Sequence, residues 1–176
     1  MNTPPEFSIS LRGLKKTQGA IKEFSFLARF GETIDNGLVI LPGGRDVEVD
    51  GTLESVGDGV LVTATVSAEL DAQCSRCLAQ FTLPVEVDIQ ELFIYPEHGR
   101  EYEEEDVTPI HDEMVDLTEA VHDAVILEMP LIPLCSEDCL GLCPTCGADL
   151  NADPDHGHGD TVDSRWLSLT QWGKMS

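Results

Sequence analysis

This chain of 176 residues is short of positive charge: ten Lys and Arg stand against 33 Asp and Glu, for a formal net charge of −23. Phosphate backbones are bound through cationic groups, so direct nucleic-acid binding by its acidic stretches is opposed electrostatically. It has no apolar run near the roughly eighteen residues a membrane span requires. The first residues, Met1-Asn2-Thr3-Pro4-Pro5-Glu6-Phe7, lack the basic start and apolar stretch of an export signal, so a cytoplasmic location is expected. Catalytic signatures are missing as well. There is no Gly-rich phosphate loop, no Gly-x-Ser-x-Gly and no His-Glu-x-x-His. Glu103, Glu104, Glu105 and Asp106 offer adjacent carboxylates, but such a run is ordinarily a solvated loop. No enzyme activity is expected.

What the chain does have is six cysteines in close pairs: Cys74 and Cys77, Cys135 and Cys139, Cys143 and Cys146. A C-x2-C turn aims two sulfurs at one point, and in Cys143-Pro144-Thr145-Cys146-Gly147 the Pro and Gly shape a tight turn around them. In a reducing cytosol such thiols favour metal over disulfide, and no βαβ pattern flanks them to suggest a redox motif. Buried thiols acting only as small hydrophobes need no such spacing. His156 and His158 follow ten and twelve residues after Cys146. Eight Cys and His ligands make two closed tetrahedral zinc sites: Cys74, Cys77, Cys135 and Cys139 in one, Cys143, Cys146, His156 and His158 in the other. The rival is a single zinc ribbon of Cys74, Cys77, Cys143 and Cys146 that leaves Cys135 and Cys139 spare, and the plainer reading of the two histidines is a solvated Asp/Gly/His loop. One or two structural zinc ions are therefore expected. Closed sites leave no open position for substrate and hold structure together. His98, His111 and His122 each stand alone, and His122 reads as a surface or core residue.

Charge is unevenly placed. Residues 1–30 carry five Lys and Arg against two Glu, net +3, whereas residues 86–160 carry 21 Asp and Glu against Arg100 alone, net −20. A basic protein is the matching partner for the acidic half, and solubility is the plainer account of the same acidity.

The periodicity predicts an α+β fold: an antiparallel β-meander, a capped helix, a Cys-rich zinc-binding loop and a short C-terminal helix. Val60, Val62, Ala64, Val66, Ala68, Leu70 and Ala72 occupy every second position, the signature of a strand with one buried face. Val47, Val49, Gly51 and Leu53 alternate before them, and Phe81, Leu83, Val85, Val87 and Ile89 after them, which puts Cys74 and Cys77 at a hairpin tip. Leu92, Phe93 and Ile94 break the alternation and indicate a bulge or two covered faces. The expected layout is a loose N-terminus over 1–10 and one domain over 11–172. Within that domain the meander runs over about 23–95, an acidic loop over 96–113 and a helix over about 116–129. The zinc loop takes 131–160 and the last helix 164–172. Asp116-Leu117-Thr118-Glu119 has capping-box chemistry, with Leu117, Val121, Ala124, Val125 and Leu127 at helical spacing behind it.

Several of these residues form a longer pattern. Cys74-x2-Cys77-Leu78-x2-Phe81 comes first, then Asp116-Leu117 opening a helix. Met129-Pro130-Leu131-x-Pro133-Leu134-Cys135-x3-Cys139-x-Gly141-Leu142-Cys143-Pro144-x-Cys146-Gly147-x2-Leu150-Asn151 follows, and Asp163-x-Arg165-Trp166-x2-Leu169 closes it. From about residue 20 to residue 172 the chain resembles the bacterial YceD-like proteins, also called large ribosomal RNA subunit accumulation proteins. The resemblance implies a cytoplasmic, non-enzymatic factor for accumulation of large-subunit ribosomal RNA and ribosome assembly. Many relatives carry Cys-x-Cys where this chain has His156-Gly157-His158, a ligand-for-ligand exchange. Two routes to such a role are open. One is direct RNA contact through the basic N-terminal segment and Arg76; the other is the holding of a basic ribosomal protein or a large-subunit assembly intermediate. A zinc-ribbon interaction module outside ribosome biogenesis and a metal-dependent nuclease are the alternative classes.

Overall fold

The computed structural model describes residues 6–96 and 108–158. In chain order the elements are β1 (Ser8–Ser10), β2 (Ile21–Arg29), β3 (Ile34–Asp35), β4 (Val39–Leu41), β5 (Asp46–Val56), β6 (Gly59–Gln73), β7 (Gln80–Ile94), β8 (Thr108–Pro109), β9 (Met114–Asp116) and α1 (Thr118–Glu128). The architecture is an α+β one built on antiparallel pairing. β6 and β7, fifteen residues each, pair along their whole length from Gly59↔Ile94 to Gln73↔Gln80. On the other side of β6 lies β5, followed by β2. β6 outruns β5, and its far end takes up the β3–β4 hairpin through Val39↔Ala72 and Ile40↔Asp71.

The alternation in β6 sends Val60, Val62, Val66 and Leu70 to one face, where none retains solvent exposure. Burying each such side chain contributes about 1.5–3 kcal/mol before chain entropy is counted. Onto this face pack Val121 and Val125 of α1, Val115 of β9, and Phe7 and Ile9 at the N-terminus, all in one apolar cluster. The opposite face of β2–β5–β6–β7 carries the polar half of each alternation.

Several expectations are corrected. Residues 1–10 are not loose from Phe7 onward: Phe7 is buried with its ring 4.6 Å from that of Phe30, and β1 pairs with β9. A three-residue strand is too short to show a period. The acidic stretch 96–113 regains structure by residue 108, where β8 joins β7 in parallel, the one departure from antiparallel pairing among the described residues. Ile110 is buried there, and Asp112 and Glu113 turn the chain with φ of 50° and 58°. Of the two readings of Leu92–Ile94, a bulge or two covered faces, the second is the one the structure takes. The register through the run is unbroken, and Phe93 and Ile94 are both buried because the end of β7 is covered on two faces.

The expected capping box is also absent. The N-cap position of α1 is Leu117, and the Asp116 carboxylate accepts the Thr118 N–H at 2.9 Å. Leu127, placed on the helix's apolar face by spacing, is 83% exposed. The Glu103–Asp106 carboxylates, His98 and the 164–172 helix lie outside the described residues. Among the described residues no helix is long and apolar enough to cross a membrane.

Candidate metal centres

The β6–β7 hairpin ends in the turn Cys74–Ala79, closed by Cys74 N–H to Ala79 O at 2.9 Å and Leu78 N–H to Cys74 O at 2.9 Å. Leu78 takes a φ of 63° to complete it. After α1 the chain returns to this tip: Ser75 N–H donates to Pro133 O at 2.9 Å, which delivers Cys135 and Cys139 to the paired sulfurs. Cys74 Sγ lies 3.8 Å from Cys139 Sγ, and Cys77 Sγ lies 3.6 Å from Cys135 Sγ. All four sulfurs fall within 4.8 Å of one another, and none is in a disulfide.

The second knuckle is tied by Gly147 N–H to Cys143 O and Cys143 N–H to Ala148 O, both 2.8 Å. Its sulfurs meet the two histidines: Cys143 Sγ to His158 Nε2 is 3.2 Å, Cys146 Sγ to His156 Nε2 3.1 Å, and the two Nε2 atoms are 3.0 Å apart. The eight residues paired in sequence are thus gathered as Cys74, Cys77, Cys135, Cys139 and as Cys143, Cys146, His156, His158, and each group can hold a metal ion. The single-ribbon grouping of Cys74 and Cys77 with Cys143 and Cys146 is not the one the fold makes. His122 stands away from both groups, edge-on to the Phe30 ring at 6.4 Å.

The thiols are primed unequally. Burial opposes ionisation of Cys74, but the backbone N–H groups of Cys77, Cys135 and Arg76 bring it down to about 6. The backbone N–H groups of Thr145 and Cys146 bring Cys143 down to about 6 too. Cys135 is pushed up to about 12, first by the Cys77 sulfur and then by that of Cys139. Several sulfurs in so small a volume cannot all carry charge unaided, and a cation relieves the conflict.

The two centres touch. Arg76 Nη1 donates to Cys139 O at 2.8 Å, and Leu142 N–H donates to Arg76 O at 3.1 Å. Gly141, with φ of 79°, lets this approach happen: a Cβ there would sit 3.0 Å from Arg76 O. Asn151, part of the sequence pattern but given no role by it, donates from Nδ2 to Cys139 Sγ at 3.6 Å and accepts from Leu140 N–H at 2.8 Å. No spacing rule points to it, because the contact depends on how the 149–153 turn folds back.

Fold and site together define a β-sheet protein whose longest hairpin is clasped by two adjacent Cys/His clusters suited to metal. Residues 62–171, more than half of the chain, match the family described as large ribosomal RNA subunit accumulation protein YceD, and the chain belongs to that family. It is 37% identical to an uncharacterised protein of Mycobacterium tuberculosis over 166 residues, 93% of this chain and 80% of that protein. A Bacillus subtilis protein, YlbN, also uncharacterised, is 32% identical over 70% of this chain and 72% of its own. A shorter match, 42% over 43 residues, covers 24% of this chain and 15% of the maize chloroplast protein named large ribosomal RNA subunit accumulation protein YCED homolog 1. No solved structure matches the chain.

Proposed function

We propose that this protein is a non-enzymatic, zinc-stabilised cytoplasmic factor that supports accumulation of large-subunit ribosomal RNA by holding a basic ribosomal protein during assembly. Membership of the YceD family carries the ribosomal part of this reading. The donor sets support zinc. A tetrahedron with Zn–S bonds of about 2.3 Å has S–S edges of about 3.8 Å, and the first centre has 3.8 and 3.6 Å. The second centre is drawn slightly tighter than the roughly 3.3–3.6 Å edges of a Cys2His2 shell. Four protein ligands complete either shell, which supports a structural ion over a catalytic one.

Charge placement supports a basic partner over direct RNA contact. Strand register collects carboxylates on the outer sheet face that the sequence leaves scattered: Leu27, Glu48, Ser67 and Glu86 form one row across four strands, and Ser25, Asp50, Thr65 and Asp88 the next. Glu23, Glu54 and Glu69 join them. The cations nearby are occupied. Arg29 pairs with Asp46, and Arg45 with Asp71 at 2.9 Å. Away from this face, Lys22 bonds Ser10 O and Arg12 O, Lys16 sits over the Tyr95 ring, and Arg76 is bound to Cys139 O.

The test is co-purification at low and at high salt, alongside depletion and subunit profiling. Expected are a large-subunit protein retained at low salt and released at high salt, a deficit of large-subunit rRNA on depletion, and one to two zinc per chain. Recovery of RNA with no ribosomal protein would overturn the holding role, and intact rRNA on depletion would overturn the ribosomal one.

A further inference from the structure

We infer that Asn151 is a positioning residue that couples the two metal centres, so that filling the Cys2His2 centre tightens the four-cysteine centre and the reverse. The contacts form a continuous relay. His156, a ligand of the second centre, donates its N–H to Asp153 O at 3.1 Å, and Asp153 N–H donates to Asp149 O at 3.2 Å. The Asp149 carboxylate holds Asn151 by its backbone N–H at 2.9 Å and by Nδ2 at 2.8 Å. Asn151 Nδ2 also reaches Cys139 Sγ, a ligand of the first centre, and Asn151 Oδ1 receives Leu140 N–H, the peptide that follows that ligand. Leu150 N–H to Gly141 O at 3.0 Å and the isolated Leu142↔Asp149 bridge lash the same turn to the segment between the centres.

An N–H aimed at a ligating sulfur orients it and tempers its charge, and losing such a partner typically costs 10–100-fold in metal affinity. The turn carrying Asn151 spans the interval between Cys146 and His156, so its shape depends on whether those ligands are joined through an ion. It is exposed throughout residues 151–155 and has no apolar anchor of its own in that interval. Fixing His156 thus further restrains the Asp149–Asp153 turn that carries Asn151, and coupling of this kind is reciprocal by thermodynamic necessity. Each centre has buried and exposed members: Cys74 and Cys139 are buried and Cys135 exposed in the first, Cys143 is buried and Cys146 and His158 exposed in the second.

Cobalt(II) binding to the full-length chain tests this, because a four-thiolate shell and a two-thiolate, two-imidazole shell give distinct visible bands. Removing the second centre with His156→Ala and His158→Ala should weaken the first about tenfold. Asn151→Asp keeps an oxygen for Leu140 N–H but removes the donor to both Cys139 and the Asp149 carboxylate; it should weaken the first centre 10–100-fold. Adding the histidine changes to Asn151→Asp should then cost nothing further. A first centre that binds cobalt equally well with and without the histidine changes would overturn the inference. So would effects of Asn151→Asp and the histidine changes that simply multiply.

Discussion

Gly141 shows how much of the metal region depends on a single backbone angle. Its φ of 79° costs a side-chain-bearing residue about 1–2 kcal/mol, and a Cβ would also press on Arg76 O at 3.0 Å. Gly13 has a similar φ of 88° but nothing within 4 Å of its Cβ position. Gly141→Ala should therefore destabilise the metal-loaded protein more than Gly13→Ala, the excess being the Arg76 contact; thermal unfolding of the pair measures it. Equal losses would mean that Arg76 yields freely and does not brace the two centres. At this scale the paired Cys and His residues that the fold gathers into two clusters were legible in the sequence, because Cys-x2-Cys and His-x-His are local spacings with few other uses. The partition of eight ligands into two sets was one of two arrangements the spacing allowed, since it depends on which loop returns to the hairpin tip. Asn151 and Gly141 stood in the recognised pattern without a role. What they do is make contacts across loops, and such contacts have no period to read.

The elements divide into a part that folds on apolar burial and a part that does not. The sheet, α1 and the β1–β9 pair share one apolar cluster that contains no cysteine. The segment from residue 130 to 158 has little of this kind. Leu131 is 84% exposed and Ile132 71%, and its buried positions include the cluster cysteines Cys139 and Cys143. Structural zinc contributes on the order of 10 kcal/mol or more to folding, enough to decide whether such a segment is ordered. Chelation of the reduced protein should abolish amide protection over 133–158 and at the Cys74–Ala79 turn while the centre of β5–β6–β7 keeps its own, as read by hydrogen exchange. Cys74→Ser should do the same to the hairpin tip and to 133–143 together, since both hang on one four-sulfur group. Protection that survives at either place would refute metal as the clasp. The long strands β5, β6 and β7 were plain from their period of two, whereas β1, β3, β8 and β9 are two or three residues each and carry no signal. The helix was placed within two residues at its start, yet its cap was misassigned, because Asp116 turns its carboxylate on Thr118 N–H and the reciprocal Glu contact does not form.

For the whole molecule the open question is what the acidity is for. The sequence located the negative charge in residues 86–160, but the register moves much of the usable charge onto the outer face of β2–β5–β6–β7, opposite the face that α1 covers. Residues 46–54 contribute four carboxylates to that face and residues 86–88 two, and only strand pairing brings them side by side. Along β5, Asp46, Glu48 and Asp50 alternate outward at about 6.7 Å, two residues of strand rise. Such a face suits a basic surface that otherwise meets RNA. If it holds the partner, Glu48→Lys with Glu86→Lys should weaken binding to rRNA-stripped large-subunit proteins at least tenfold at low salt. The difference should fade toward 1 M salt, where the Debye length is about 3 Å. Glu119→Lys with Glu128→Lys makes the same net change on exposed positions of α1 and should leave binding within about twofold. Equal losses in the two variants would reduce the acidity to a bulk property of the molecule. Loss in the sheet variant alone makes the β-face the docking surface.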